Sequence, residues 1–282
     1  MTLSHSLAGS PAAAPRTILV TGSTDGIGKA TAKALARQGH RVLLHGRDQE
    51  KGRAVLGELA SEGSTEPDLF TADLSTLPGV RALAREVSDR YERLDVLLNN
   101  AGIYLGERVL TADGFETTLA VNLVAPFLLS HLLLPVLSAA APARIVNVAS
   151  SAHFDAPGID WENLQGEREY DGWGAYARSK LGVVLFTAGF ARELDPGEIT
   201  VNCLHPGVIC TKLLRSAFPV YPCDTPEAGS RTSVYLATSP RVDGVTGKYF
   251  DGMREARPSA ASRDRKTQDR LIAWLGKAAG LE

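Results

Sequence analysis

Cysteine, charge of one sign and long apolar runs are all scarce in this chain of 282 residues, and each scarcity removes a class of protein. There are three cysteines, Cys203, Cys210 and Cys223, an odd number at spacings that match no zinc-ligand pattern. A disulfide scaffold and a zinc module are therefore set aside, no metal is expected, and reduced thiols in a cytoplasmic protein are the expectation. A formal charge of −2 gives no electrostatic reason to look for nucleic acid or an anionic membrane as a partner. The first fifteen residues, rich in Ala, Ser and Pro, have neither a basic start nor a continuous apolar stretch, so they read as a flexible arm rather than a signal peptide. The most apolar segment, residues 119–140, is interrupted by Asn122, Pro126, Ser130, His131 and Pro135, which suits a buried helix better than a bilayer span. No membrane anchor is expected.

What is present is enough apolar residue, 44%, to build a large core with 22% charged residues to cover it. From Thr17 onward short apolar runs alternate with longer periodic ones, the pattern that forces parallel strands joined by helical crossovers. Strands are expected near residues 17–21, 41–45, 68–72, 94–98, 143–149, 198–203 and 247–250. Helices are expected over 26–38, 49–62, 78–91, 111–140, 174–194, 225–238 and 263–279. With no repeat and no dividing linker, residues 16–282 read as a single α/β domain of Rossmann type, a doubly wound parallel sheet with helices on both faces. Its ligand crevice should open at the strand C-termini where the strand order reverses.

Chemistry-bearing residues fall at those C-termini. After the first strand comes Gly22-Ser23-Thr24-Asp25-Gly26-Ile27-Gly28, in which Gly22 permits a tight turn, Gly26 lets backbone approach a pyrophosphate and Gly28 allows close helix packing. Ser23, Thr24 and Ile27 go with this cofactor turn. The second strand ends in Gly46-Arg47-Asp48, so glycine stands where a carboxylate would accept ribose hydroxyls, and a guanidinium suited to a 2′-phosphate follows. NADP is accordingly expected over NAD, with Asp48 a competing partner for Arg47. Asp73, followed by Leu74, is placed to reach an adenine amino group or to serve as a helix cap. The fourth strand runs into Asn99-Asn100-Ala101-Gly102, small polar residues where ribose and nicotinamide should pass. Asn122 lies within an apolar helical pattern, and Ser150 and Ser151 close the fifth strand.

Tyr176 and Lys180 stand one helical turn apart in Gly174-Ala175-Tyr176-Ala177-Arg178-Ser179-Lys180, so both side chains leave one face. An ammonium there should pull the phenol below its ordinary pKa of about 10 and make Tyr176 a candidate acid/base. Residues 206–226, with weak periodicity, two cysteines and two prolines among 208–224, read as a substrate lid. Trp161, Tyr170 and Trp173 sit in the connection before Tyr176 as packing residues or as a flap. His153 and His205 flank the crevice and read as packed or hydrogen-bonded histidines.

Taken together, Thr21-Gly22-x-x-x-Gly26-x-Gly28, Asn99-Asn100-Ala101-Gly102, Asn122, Ser150, Tyr176-x-x-x-Lys180 and Pro206-Gly207 resemble the short-chain dehydrogenase/reductase family, in its order and from about Thr17 to the C-terminus. The resemblance implies that Tyr176 is the acid/base, that Lys180 lowers its pKa and binds the nicotinamide ribose, that Ser150 polarises the substrate carbonyl and that Asn122 holds a proton-relay water. It further implies that Pro206, Gly207, Val208 and Thr211 meet the nicotinamide end. Ala149 replaces the first serine of the family pattern, which leaves Ser151 as an alternative to Ser150. Arg47-Asp48, Ser151-Ala152-His153 and residues 245–250 look most like the retinol dehydrogenase and WW-domain oxidoreductase branch. The expected activity is hydride transfer between NADP(H) and a carbonyl or secondary alcohol of a hydrophobic small molecule. A dinucleotide-binding sensor or scaffold, and an NAD-dependent epimerase or dehydratase, are the alternatives. A homodimer or homotetramer is the family-level expectation.

Overall fold

Period-two alternation along the strands divides the apolar residues between two cores, one on each face of a sheet. The computed structural model describes residues 14–62 and 65–281. The arm expected over residues 1–15 lies, apart from Ala14 and Pro15, outside the described residues. Eight strands are present: β1 (Thr17–Val20), β2 (Arg41–Gly46), β3 (Asp68–Thr71), β4 (Val96–Asn99), β5 (Ala143–Val148), β6 (Ile199–His205), β7 (Tyr249–Asp251) and β8 (Arg254–Ala256). They form one sheet in the order β3-β2-β1-β4-β5-β6-β7-β8, parallel through β7. Leu19, Leu43, Leu97, Ile145 and Val201 point to one face, and Ile18, Val20, Val42, Leu44, Val96 and Leu98 to the other. The first face is covered by α3 (Leu77–Arg90), α5 (Ala125–Leu132), α7 (Gly172–Phe190) and α10 (Arg265–Ala278), the second by α1 (Gly26–Arg37), α2 (Gln49–Ser61) and α9 (Pro226–Thr238).

The domain expected from the sequence is thus present, with two differences. First, β8 is an added antiparallel strand that pairs β7 across a turn at Gly252 and Met253, both with positive φ. Arg254 and Glu255 are exposed, so no apolar signal marked it; its place is to cover one lane of the edge of β7. Second, the single helix expected over 111–140 is broken. Residues 110–116 form a turn closed by a Leu110–Glu116 bridge, then come α4 (Thr117–Leu119), a π-helical turn (Ala120–Val124), α5 and α6 (Leu134–Ser138). The Glu116 carboxylate accepts the Thr118 and Leu119 N–H groups at 2.8 and 2.7 Å, which sets the true start. Pro126 has no N–H to give to the carbonyl of residue 122, and the helix widens there; Pro135 likewise follows the end of α5.

The buried helix α7 carries Tyr176 and Lys180 and is apolar on nearly all sides because it is wedged between the sheet, α5 and α10. Two glycines make the wedge possible. A Cβ at Gly182 would stand 2.4 Å from Leu123 Cδ2, and one at Gly189 would stand 2.4 Å from Ile272 Cδ1. Among the described residues no helix is long and apolar enough to cross a membrane. Replacing Gly182 with valine should overpack this contact and cost about 1–3 kcal/mol. Urea denaturation of Gly182→Val against the parent measures it, and an unchanged midpoint would contradict the packing described.

Candidate active site

Where β1 and β4 lie side by side, their following segments leave toward opposite faces, and a crevice of about 630 Å³ opens above the strand ends. The two sides are stitched together. Thr21 Oγ1 accepts the N–H groups of Asn100 and Ala101 at 2.9 and 3.0 Å, while Asn100 Nδ2 donates to the Thr21 and Gly22 carbonyls at 2.8 and 3.2 Å. Side chains are excluded from this junction: a Cβ at Gly28 would fall 2.2 Å from the Gly22 carbonyl oxygen and 2.4 Å from Asn100 Nδ2. Gly22 itself has φ +63°, a conformation that favours glycine. The N-terminus of α1 therefore faces the crevice through a turn of small residues, with the Asp25 carboxylate on the Gly26 N–H, a cradle that fits a dinucleotide pyrophosphate.

Of the residues expected at the cofactor, Gly22, Thr24, Gly26, Ile27, Gly28, Arg47, Asp73, Leu74, Asn100, Ala101 and Gly102 line this crevice, and so do Pro206, Gly207, Val208 and Thr211 from the far side. Ser23 does not. It is fully buried, its Oγ accepting the His45 N–H at 2.9 Å, so it belongs to the seam between β1 and β2. A Cβ at position 46 would stand 2.5 Å from Thr24 Cγ2, so Gly46 leaves room for the threonine and places no carboxylate there. Arg47 is exposed, and Asp48 does not hold it. Asp48 caps α2 through the Lys51 N–H at 3.1 Å and pairs with Lys51 Nζ at 3.5 Å. Asp73 accepts the Ser75 N–H at 3.0 Å, while the cap of α3 is Thr76, so Asp73 stays at the crevice wall without being that cap.

At the inner end, Ser150 and Tyr176 line the crevice together, with Ser150 near enough to ease loss of the phenol proton, while the neighbouring Ser151 is exposed. Lys180 Nζ lies 5.7 Å from the centre of the Tyr176 ring and donates to the Val148 carbonyl at 2.9 Å. The electrostatics differ from the expectation of a depressed phenol. Burial pushes Tyr176 up to about 12, partly opposed by the nearby Ser150 side chain, and holds Lys180 down to about 8. Both side chains lie within the wedge of α7, so loss of water outweighs any attraction between ammonium and phenolate. The Asn122 side chain is fully hydrogen-bonded, as a buried amide requires. Its Oδ1 accepts the Ile103 N–H at 2.8 Å and its Nδ2 donates to the Ile103 carbonyl and to Ser179 Oγ, both at 3.0 Å. Ser179 Oγ in turn donates to the Tyr176 carbonyl at 2.7 Å, so the Asn122 side chain is a clamp behind the site, and its π-helical turn is what brings it there.

The connection before α7 splits in function. Trp161 lies under Arg270, its centroid 4.2 Å from the guanidinium carbon, and the Tyr170 hydroxyl bonds the Leu105 carbonyl and Glu116 at 3.2 Å; both are packing residues. Trp173 belongs to the site instead, stacked on Tyr176 with centroids 5.7 Å apart. It touches Phe218, which touches Tyr221, at 5.2 and 5.9 Å, so an aromatic wall runs from Tyr176 out to the mouth. Tyr104 meets Tyr176 edge-on from the other side at 6.2 Å. Sequence spacing gave no sign of this wall because its members come from three separate segments.

The expectation of three reduced thiols is corrected. Cys210 and Cys223 are joined in a disulfide, and Cys203 alone is free and buried. Their thirteen-residue separation hid the pairing, which follows from a bridge between Ile209 and Asp224 that lays the two ends of the loop side by side. The loop carries α8 (Lys212–Ala217), capped by Thr211 through the Leu214 N–H at 3.3 Å. Lys212 forms an ion pair with Asp25, which itself caps α1 through the Gly26 N–H at 2.8 Å. Among the described residues no cluster of His, Cys, Asp and Glu is arranged to hold a metal.

A β1-turn-α1 cradle beside a serine, tyrosine and lysine on β5 and α7 defines a dinucleotide-dependent oxidoreductase site, and residues 16–221 match the short chain dehydrogenase family model. The chain belongs to the short-chain dehydrogenase family and is an NAD(P)-dependent oxidoreductase of its retinol dehydrogenase branch. It is 39% identical to human (Homo sapiens) retinol dehydrogenase 13, over 95% of this chain and 85% of that one. It is 38% identical to mouse (Mus musculus) polyprenol dehydrogenase, over 92% of this chain and 82% of that one. Among solved structures, a short chain dehydrogenase from Shigella flexneri 2a str. 301 complexed with NADP superposes with a TM-score of 0.69 at 31% identity, covering 85% of this chain and 97% of that one.

Four histidines, His40, His45, His153 and His205, are held below 6.5 chiefly by burial, His45 down to about 4. Each is neutral when folded and binds a proton more readily when unfolded, so their contribution to stability is complete above pH 6.5 and is lost as pH falls toward about 4. Melting temperature should therefore drop between pH 7 and pH ~5, above the range where carboxylates titrate. Differential scanning fluorimetry across that window checks it, and a flat profile would contradict the burial of these rings.

Proposed function

We propose that the chain transfers hydride between NADP(H) and the carbonyl or alcohol carbon of a long apolar substrate, with Tyr176 as general acid/base. The observation that carries this reading is the grouping of Ser150, Tyr176 and buried Lys180 at the inner end of a crevice that also takes in the glycine turn at the N-terminus of α1. The dinucleotide supplies or accepts the hydride. Tyr176 gives its proton to the substrate oxygen in reduction and takes it back in oxidation, while Ser150 hydrogen-bonds the same oxygen. A phenol raised to about 12 is protonated at neutral pH, the form that donates to a carbonyl oxygen in reduction. Lys180 near 8 keeps its ammonium at pH 7 and, through the Val148 carbonyl, is fixed beside the position where a nicotinamide ribose would lie.

Preference for NADP is supported by Gly46, which places no carboxylate at the ribose, and by Arg47, which is exposed and forms no ion pair among the described residues. The apolar substrate is supported by the wall of Trp173, Phe218, Tyr221 and Tyr104, and by relatives whose names give retinol and polyprenol. Residues 206–226 act in this reading as a lid, with the disulfide limiting the spread of its aromatic tip. The Asn122 clamp holds the floor rigid beneath Tyr176.

Incubation with NADPH or NADH and a series of aldehydes and ketones of increasing apolar length, followed by nicotinamide absorbance, tests the activity. Tyr176→Phe should lower kcat by roughly 10²–10⁴-fold while leaving NADPH affinity nearly unchanged. Tight NADPH binding with no turnover of any carbonyl in the parent chain would turn the assignment toward a dinucleotide-binding sensor. Separately, Arg47→Ala should raise the KM for NADPH roughly tenfold and leave that for NADH in place. An unchanged ratio of the two would remove Arg47 from the 2′-phosphate.

A further inference from the structure

One imidazole ties together the two parts of the crevice that face the adenosine side of a dinucleotide, at a position where the sequence offered only a strand residue. His45, near the end of β2, is 2% exposed and lines the crevice. Its Nδ1 accepts the Gly22 N–H at 3.2 Å, and its Nε2 lies 3.2 Å from the Ala72 carbonyl oxygen. A carbonyl only accepts, so the ring proton is on Nε2; a backbone N–H facing Nδ1 needs a lone pair there. One form alone satisfies both neighbours, the neutral imidazole carrying hydrogen on Nε2. A second proton would set Nδ1–H against the Gly22 N–H.

The two groups it joins are at the cofactor end of their segments. Gly22 opens the glycine turn in a left-handed conformation, and Ala72 directly precedes Asp73 at the crevice wall. Around them the backbone is already committed: Ser23 N–H donates to the His45 carbonyl at 2.9 Å, and His45 N–H donates to Ser23 Oγ at 2.9 Å. Without the imidazole, the Gly22 N–H would lose its protein acceptor at the wall of the crevice, and the turn would be free to shift. The β3 end would lose its side-chain tie to β2 at the same time.

We propose that His45 is a positioning residue for the cofactor: as the neutral Nε2–H tautomer it fastens the glycine turn to the end of β3 and so holds the backbone N–H groups of the turn in the orientation that receives a pyrophosphate. The inference rests on the cofactor site proposed above and extends it to a side chain outside the glycine turn.

The test is the NADPH dissociation constant, by quenching of protein fluorescence or calorimetry, for the parent chain and for His45→Ala, His45→Asn and His45→Gln, with circular dichroism and melting curves alongside. Asparagine puts an amide oxygen where Nδ1 stands and restores the Gly22 bond; glutamine puts an amide nitrogen near Nε2 and restores only the Ala72 bond. His45→Ala should weaken NADPH about tenfold, His45→Asn should recover to within roughly threefold of the parent, and His45→Gln should stay weak. At saturating NADPH, kcat should be the same in all four. Nitrogen-15 spectra of the parent should show Nδ1 unprotonated and Nε2 protonated. Alanine binding as tightly as the parent, asparagine as weak as alanine, or the opposite tautomer would overturn the proposal. Should His45→Ala fail to fold, the asparagine and glutamine variants decide it, equal affinities being the overturning result. A parent chain that binds neither NADPH nor NADH would instead overturn the cofactor reading beneath it.

Discussion

Parallel pairing of β1 with β4 is the constraint on which the remaining architecture depends. Because each parallel strand must be followed by a crossover, the neighbours at this reversal of order send their next segments to opposite faces, and the space above them cannot be filled by the chain itself. The gap would be a defect if its rim were loose. Here the rim is sewn shut by Thr21 and Asn100, whose four hydrogen bonds satisfy the backbone that the missing crossover leaves exposed. Glycines at positions 22 and 28 permit that closeness, so the junction that binds a ligand is also the one that joins the two halves of the sheet.

Burial sets the chemistry of the inner end. A tyrosine and a lysine are placed within a helix that is surrounded on nearly all sides, and each is driven toward its neutral form, the phenol upward and the amine downward. The pair is thereby held in opposite readiness. At neutral pH the phenol of Tyr176 is protonated, and Lys180 remains charged by a narrow margin. Asn122 and Ser179 tie the backbone at Tyr176 to Ile103 through a chain of hydrogen bonds beneath them. Stability and reactivity therefore draw on the same desolvated wedge, which is why α7 requires glycine at 182 and 189 to fit.

The outer end is built differently. The segment after β6 has little core of its own, and it is held by a disulfide across its base, an ion pair from Lys212 to Asp25 at the glycine turn, and an aromatic contact from Phe218 to Trp173. Such a loop, attached at its ends and apolar at its tip, presents rings rather than hydrogen-bonding groups to whatever enters. Val220 is almost fully exposed and Phe218 and Tyr221 partly so, which extends the apolar surface beyond the crevice.

Much of this was legible from residues alone, and the reason is periodicity. Strands β1 through β7 and the helices α1, α2, α3, α7, α9 and α10 follow apolar repeats that local geometry enforces, and the glycine turn and the Tyr176–Lys180 spacing are local too. The family followed from those motifs taken in order. What remained hidden depends on contacts between distant segments. The breaking of 111–140 needed the cap at Glu116 and the proline at 126 to be weighed against strong apolar pattern. The pairing of Cys210 with Cys223, the aromatic wall from Trp173, Phe218 and Tyr221, the turning of Ser23 away from the crevice and the bonding of His45 to Gly22 all join residues far apart in sequence or in unpatterned loops. The sequence by itself determined the first seven strands, most of the helices and the placing of Tyr176 and Lys180 one turn apart, since these obey short-range rules. Tertiary structure alone decided how deeply those groups are buried, and with that their proton affinities, because desolvation is a property of everything packed around a side chain and not of the residues beside it in the chain.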